Sequence, residues 1–197
     1  MIIAIVGGGI SSLSLYLWLD KLGLTKQHNV GIYEARQAEG TVGTHGTASA
    51  ETYNASVIGA SIGLAPNGLK VLKHLDESLY GEVISRGHII KTCRLTNSRG
   101  WTLADVPFCA DADDMLMIGR NEFWRLLSQR VPEDVMVREK VQEVVVEEHR
   151  NSLLLADGDR AEADLIIGAD GIWSAVRQAI FGKGFDKDEY EYAPHYE

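Results

Sequence analysis

The turn Gly7-Gly8-Gly9-Ile10-Ser11-Ser12, set between an apolar run and a helical one, constrains this chain more than any other stretch. Ile2–Val6 is uniformly apolar and stops at Gly7, the pattern of a strand buried on both faces of a parallel sheet. Residues 10–22 are apolar almost all round and Gly23 supplies a stop, so the spacing predicts a helix after the turn. Residues 30–33 read as a second strand, ending on Glu34. Strand, glycine turn, helix, strand and terminal acid occur in the order of a dinucleotide-binding βαβ unit. Gly7 permits the tight turn, and Gly9 lets a pyrophosphate approach the backbone. The helix aims its N-terminal N–H groups at the phosphates. Glu34 is placed to accept hydrogen bonds from ribose hydroxyls. Ser12 stands where a third glycine would let helix and strand pack closely; it predicts a slightly looser contact. The motif alone does not separate NAD from FAD.

Size and charge narrow the rest. A chain of 197 residues holds one substantial core, or one core and part of another. Its formal net charge of −9 argues against nucleic acid, whose phosphates need a basic face. Cys93 and Cys109 lack metal-ligand spacing and are too few for a disulfide framework, so no metal site is expected. The start MIIAIV has no basic flank and runs straight into glycines, which makes it a strand and not a signal peptide. No segment approaches the roughly 20 apolar residues needed to span a bilayer. The expectation is a cytoplasmic protein without an integral membrane segment.

Between the two ends the pattern is mixed. Residues 37–56 are rich in Gly, Ala, Thr and Ser without periodicity and read as a loop or insertion. Pro66 sits where a first helical residue fits, ahead of Leu69, Leu72 and Leu75. Residues 88–95 and 101–106 flank Asn97-Ser98-Arg99-Gly100 as a hairpin. Asn121 is expected to cap a helix carrying Phe123, Leu126, Leu127 and Val131. Three strand-like runs follow at 135–137, 141–148 and 153–156, then an Asp157-Gly158 turn. Residues 163–169 read as one buried strand and 174–181 as a helix. The acidic, aromatic stretch 186–197 shows no pattern of its own.

The second informative segment is ADLIIGADGIWSAVR, ending at Arg177. A buried strand delivers the Asp170 carboxylate to the edge where open α/β sheets bind ligands, and Gly171 lets the backbone turn beside a ligand. An Asp-Gly pair by itself is a common loop turn. The whole string, however, closely resembles the DG motif of the class A flavoprotein monooxygenases, which include the salicylate and para-hydroxybenzoate hydroxylases. The fungal members that modify aromatic and secondary metabolites are the nearest in pattern. Three further stretches carry the resemblance: IVGGGISSLSLYLWL with IYEAR, VIGASIGLAPNGLKVLKHL, and IGRNEFWRLL. Together they cover most of residues 1–182.

The resemblance implies an α/β, Rossmann-like FAD/NAD(P)-binding fold of the para-hydroxybenzoate hydroxylase type, with an incomplete substrate domain. Residues 1–182 would be the FAD-binding domain, 86–112 would lend a hairpin to the substrate-side sheet, and 183–197 would begin a truncated substrate domain. Gly7, Gly9 and Ser12 would surround the FAD pyrophosphate, and Glu34 the adenosine ribose. Ala60 and Ser61 would lie along the flavin or its ribityl chain. Arg120 would contact the ribose or phosphate region, and Asp170 would hold ribose hydroxyls. Arg177 is expected to tie the last helix to the sheet. NAD(P)H would be the reductant, and the partner an aromatic or polycyclic small molecule to be hydroxylated or epoxidised. No catalytic acid or base is recognisable: His45, His74, His88 and His149 have no partner at a meaningful spacing. The chain departs from the family in its long 37–56 stretch and in lacking the GDAAH-type segment that follows the Asp-Gly motif. The second reading is therefore an inactive FAD-binding remnant, or a module needing a complementing chain. A simple NAD-dependent dehydrogenase ranks lower, because it lacks the long excursion from Glu34 to the Asp-Gly strand.

Overall fold

A computed structural model describes residues 1–35, 60–107, 115–147 and 150–182. The strands are β1 (Ile2–Val6), β2 (Asn29–Tyr33), β3 (Ser61–Leu64), β4 (His88–Ile90), β5 (Thr92–Thr96) and β6 (Thr102–Pro107). They continue with β7 (Met115–Gly119), β8 (Met136–Val137), β9 (Val141–Val145), β10 (Asn151–Leu155), β11 (Arg160–Ala163) and β12 (Leu165–Gly168). The helices are α1 (Ile10–Lys21), α2 (Pro66–Leu75), α3 (Glu77–Arg86), α4 (Arg120–Ser128) and α5 (Ala175–Phe181). The chain divides into two units, Met1–Gly43 with Val131–Glu197, and Thr44–Arg130.

The first unit holds a parallel sheet in the order β12-β1-β2-β8 and an antiparallel sheet in the order β11-β10-β9. β1 is apolar at every position because both its faces are covered. Ala4 and Val6 join Val144, Leu153, Ala163 and Val176 in one core, and Ile3 and Ile5 on the opposite face are buried too. Ile5, Leu13 and Ile32 are fully buried, each contributing roughly 1.5–3 kcal/mol relative to exposure. Gly23 ends α1 as expected: at φ +73° its N–H returns to the Asp20 carbonyl at 2.8 Å.

The run 163–169 is not one strand. Ala163 pairs with Asn151 in the antiparallel sheet, whereas Leu165 pairs with Ile3 in the parallel one. Asp164 makes the switch, its carboxylate accepting the Ile2 N–H at 2.7 Å while its own N–H donates to the Ile2 carbonyl at 2.9 Å.

The second unit holds the antiparallel sheet β3-β7-β4 and the separate hairpin β5-β6. Helices α2, α3 and α4 bury Leu69, Leu72, Leu75, Leu79, Val83, Phe123, Leu126 and Leu127. They pack with β3 and β7, whose Leu116 and Ile118 are also buried. Pro66 is the first residue of α2, as its fixed φ favours. The 88–95 run divides at Lys91: β4 pairs with β7, and β5 turns through Asn97 into β6. The Asn97 Oδ1 accepts the Arg99 and Trp101 N–H groups and holds that turn. Asn121 does not cap α4. The helix already begins at Arg120, Gly119 is its N-cap, and Asn121 lies in the first turn. The residues 37–56 and 183–197 singled out in the sequence lie outside the described ones.

Candidate functional site

In the first unit, three neighbouring parallel strands end side by side. β1 runs into Gly7, β2 into Glu34, and β12 into Ala169 and Asp170. The Gly7 N–H donates to the Tyr33 carbonyl and the Ala169 N–H to the Val6 carbonyl, both at 2.8 Å, so the three ends are locked together.

Each glycine of the turn answers a different demand. Gly7 has φ +100°, and a Cβ there would lie 2.5 Å from the Ala169 carbonyl oxygen. Its role is the crossing of the Asp170 strand. At Gly8 a Cβ would fall 2.7 Å from the Glu34 carboxylate, whose Oε2 accepts the Gly8 N–H at 2.6 Å. That need was not visible in the sequence, because it depends on β2 lying beside β1. At Gly9 a Cβ would meet nothing within 4 Å, leaving open space at the start of α1. No side chain makes a cap hydrogen bond to α1 and no acid lies in its first turn, so its first N–H groups are left for a ligand anion. Ser12 is fully buried, and its hydroxyl donates to the Gly9 carbonyl at 2.9 Å. It thereby fixes the turn from within the helix.

Asp170 has two differently engaged oxygens. Oδ2 accepts the Ala175 N–H at 2.7 Å and the Val176 N–H at 3.3 Å, anchoring the start of α5. Oδ1 is buried and has no hydrogen-bond partner among the described residues. A buried acceptor left unpaired costs about 1–3 kcal/mol, and a ligand hydroxyl would relieve that cost. Gly171 turns the chain at φ +79°. The Arg177 guanidinium donates to the Gly171 carbonyl at 3.1 Å, joining α5 to the Asp-Gly turn. Ser174 caps α5 by accepting the Arg177 N–H at 2.9 Å, a role the sequence reading missed.

In the second unit, Ala60, Ser61 and Arg120 come together at one end of the β3–β7 pair. Ser61 lies opposite Gly119, and the Arg120 N–H donates to the Ala60 carbonyl at 3.1 Å. All three residues are exposed. Arg120 opens α4 and does not precede it. His74 Nδ1 lies 3.2 Å from the Lys70 carbonyl and His88 is exposed on β4; His45 and His149 lie outside the described residues. Among the described residues no group of three or more His, Cys, Asp or Glu is arranged to hold a metal.

No protein-family profile matches the chain. Individual relatives do. An FAD-dependent monooxygenase of Hypocrea jecorina is 28% identical over 97% of this chain and 38% of its own length. The 3-amino-4-hydroxybenzoate 2-monooxygenase of Streptomyces platensis is 31% identical over 91% of this chain and 42% of its own. Among solved structures, 2,6-dihydroxypyridine-3-hydroxylase from Arthrobacter nicotinovorans superposes with a TM-score of 0.67 at 23% identity, covering 92% of this chain and 39% of that one. The Klebsiella pneumoniae HpxO variant complexed with FAD gives 0.68 at 21% identity, over 90% and 42%. The chain is homologous to the class A FAD-dependent monooxygenases. It has their α/β, Rossmann-like fold and spans about two fifths of the length of these monooxygenases. The GxGxx turn, Glu34 and the Asp-Gly strand, distant in sequence, are adjacent in the monooxygenase fold because β1 pairs with both β2 and β12.

Proposed function

We propose that this chain binds FAD and forms the cofactor-holding part of an NAD(P)H-using monooxygenase acting on an aromatic or polycyclic small molecule. The observation that carries this reading is the buried, unpartnered Oδ1 of Asp170, in line with the Gly7–Gly9 turn and Glu34 at the ends of three adjacent parallel strands. A ribose hydroxyl is the donor that such an acceptor lacks. The open space at Gly9, before the uncapped start of α1, suits a pyrophosphate. Glu34, oriented by the Gly8 N–H, is assigned to the adenosine ribose, and Ser12 to shaping the turn. Ala60 and Ser61 are assigned to the flavin or its ribityl chain, and Arg120 to the ribose or phosphate region. When bound, FAD supplies the hydride acceptance from NAD(P)H and the O2 activation that no side chain here provides.

The substrate class rests on relatives whose names specify aromatic rings, 3-amino-4-hydroxybenzoate and 6-hydroxynicotinate. Hydroxylation or epoxidation, a cytoplasmic location and a place in secondary metabolism complete the proposal. No described helix is long and apolar enough to cross a membrane. Residues 1–182 are assigned to FAD binding, the 86–112 region to the substrate-side sheet, and 183–197 to the start of the substrate domain. The exposure of Ala60, Ser61 and Arg120, and of Gly171, Ile172 and Trp173 beside Asp170, favours a second reading, an FAD-binding remnant or a module that works only with a complementing chain.

The test is a visible spectrum of the purified chain followed by FAD titration. Flavin bands, or saturable binding of added FAD, are expected. Asp170→Ala is expected to weaken binding by about 1–3 kcal/mol, the scale of a hydrogen bond to a charged group. Because Asp170 also anchors α5, thermal unfolding of the variant separates lost contact from lost structure. A folded Asp170→Ala protein with undiminished FAD affinity sinks the assignment.

A further inference from the structure

At the opposite end of the parallel sheet from the glycine turn, the first unit has a second concavity. The start of β2, the middle of α1 and the turn before β8 border a cleft of about 270 Å³, lined by residues of that unit. This lies near the small end of the range for ligand sites, about 300–1,000 Å³. Val30, Pro132 and Val135 give it apolar walls, and Tyr16, His28 and Asp134 supply polar lining. His28 Nδ1 is buried and has no hydrogen-bond partner among the described residues. That arrangement costs free energy which a ligand donor would recover. Tyr16 is only 5% exposed. Burial first, then the negative charges of Asp20 and Asp134, push its hydroxyl pKa upward, with no hydrogen bond among the causes. Asp20 is already engaged, its carboxylate accepting the Thr25 hydroxyl at 2.6 Å. The cleft is therefore rich in acceptors and negative in potential.

We propose that this cleft binds a small organic cation bearing a primary ammonium group on an alkyl stem. An ammonium carries three N–H donors and no acceptor, which matches a carboxylate, an imidazole lone pair and a phenolic oxygen. Asp134 supplies the counter-charge, Nδ1 of the neutral His28 ring accepts one N–H, and the Tyr16 oxygen accepts another. The stem lies against Val30, Pro132 and Val135. The same negative potential disfavours carboxylates and phosphates of similar size. A metal ion is a poorer match, because among the described residues no group of three or more His, Cys, Asp or Glu is arranged to hold one. Gly7, Glu34 and Asp170 stand at the other ends of the strands, so this inference does not depend on the FAD reading.

Amide NMR of the full chain titrated with n-butylammonium tests it, at pH 8, where an imidazole is ordinarily neutral. Saturable shifts centred on residues 28–30 and 132–135 are expected, with a dissociation constant of about 1–10 mM for so small a ligand. Tetramethylammonium, a cation without N–H donors, and butyrate, an alkyl stem of opposite charge, should each bind at least about tenfold more weakly. Asp134→Asn should weaken butylammonium binding at least about fivefold, and Tyr16→Phe, which removes the hydroxyl and keeps the ring, about threefold. The same spectra show whether each variant is folded. Glu133→Gln is the control, removing an exposed acid that neighbours the cleft without lining it. No saturable shift, as for a cleft that holds water only, overturns the proposal. So does equal binding of tetramethylammonium or butyrate, unchanged affinity in a folded Asp134→Asn or Tyr16→Phe protein, or a Glu133→Gln effect as large as that of Asp134→Asn.

Discussion

Gly7 and Gly9 sit two residues apart in one motif, yet the structure gives them separable tasks. At Gly7 the backbone has φ +100° and the missing Cβ would collide with the Ala169 carbonyl. Gly7→Ala therefore combines left-handed strain with overpacking, and is expected to cost at least about 2 kcal/mol of stability. Gly9 has φ −81°, an ordinary value, and open space where its Cβ would be. Gly9→Ala should leave stability within about 0.5 kcal/mol of wild type, while lowering FAD affinity at least about tenfold if the pyrophosphate lies there. Urea unfolding and FAD titration of both variants give the comparison. Equal loss of stability at the two positions would contradict the assignment of Gly9 to ligand approach.

At the scale of elements, the α2–α3 junction shows how one acid can organise two helices. Asp76 ends α2 and caps α3, accepting N–H bonds from Ser78 and Leu79, while the Arg130 guanidinium reaches it at 3.0 Å and Glu82 at 2.8 Å. Burial by itself would raise the Asp76 carboxyl. The Ser78 hydroxyl, the Leu79 N–H, Arg130 and the Ser78 N–H outweigh it and hold the group down at about 2, from 3.8. A depressed folded pKa contributes stability that is present above the unfolded value and is lost as pH falls through the folded one. The window is thus from about pH 4 down to about pH 2. With a third of the side chain accessible, solvent screening reduces the effect to about 1 kcal/mol. Asp76→Asn should be less stable than wild type at neutral pH, the two converging by pH 2 in acid-unfolding curves. Parallel curves across that window would show that Asp76 is not the titrating group.

The same scale explains what could be read from the sequence. β1, α1 and β2 were legible because burial on both faces of β1 and the Gly7 and Gly23 turns leave local marks. The edge where β1, β2 and β12 end together was legible for the same reason: strand ends carrying Gly, Glu and Asp are local features. The division of 163–169 at Asp164, and of 88–95 at Lys91, was not, since each run is apolar enough to pass for one strand and only its pairing partners separate the halves. β3 and β7 went unseen because Ser61, Gly63, Met115 and Met117 do not alternate in polarity as a half-buried strand should. Gly8 was missed because its demand comes from Glu34, 26 residues away.

For the molecule as a whole, binding FAD and using it are different requirements. Oxygen transfer to a substrate needs a pocket that excludes water around the reacting groups. In this chain Ala60, Ser61 and Arg120 are exposed, as are Gly171, Ile172 and Trp173 beside Asp170. The 197-residue chain, loaded with FAD, is therefore expected to pass electrons from NAD(P)H to O2 without capturing oxygen in a product. Nearly all the NAD(P)H consumed should appear as hydrogen peroxide, measured with a peroxidase-coupled dye, and addition of aromatic acids should not change the ratio. Adding catalase should return half the oxygen consumed, a second check on the same stoichiometry. Hydroxylated product matching NAD(P)H consumption would show that these residues already enclose a working site, and would overturn the reading of the chain as a module in need of a partner.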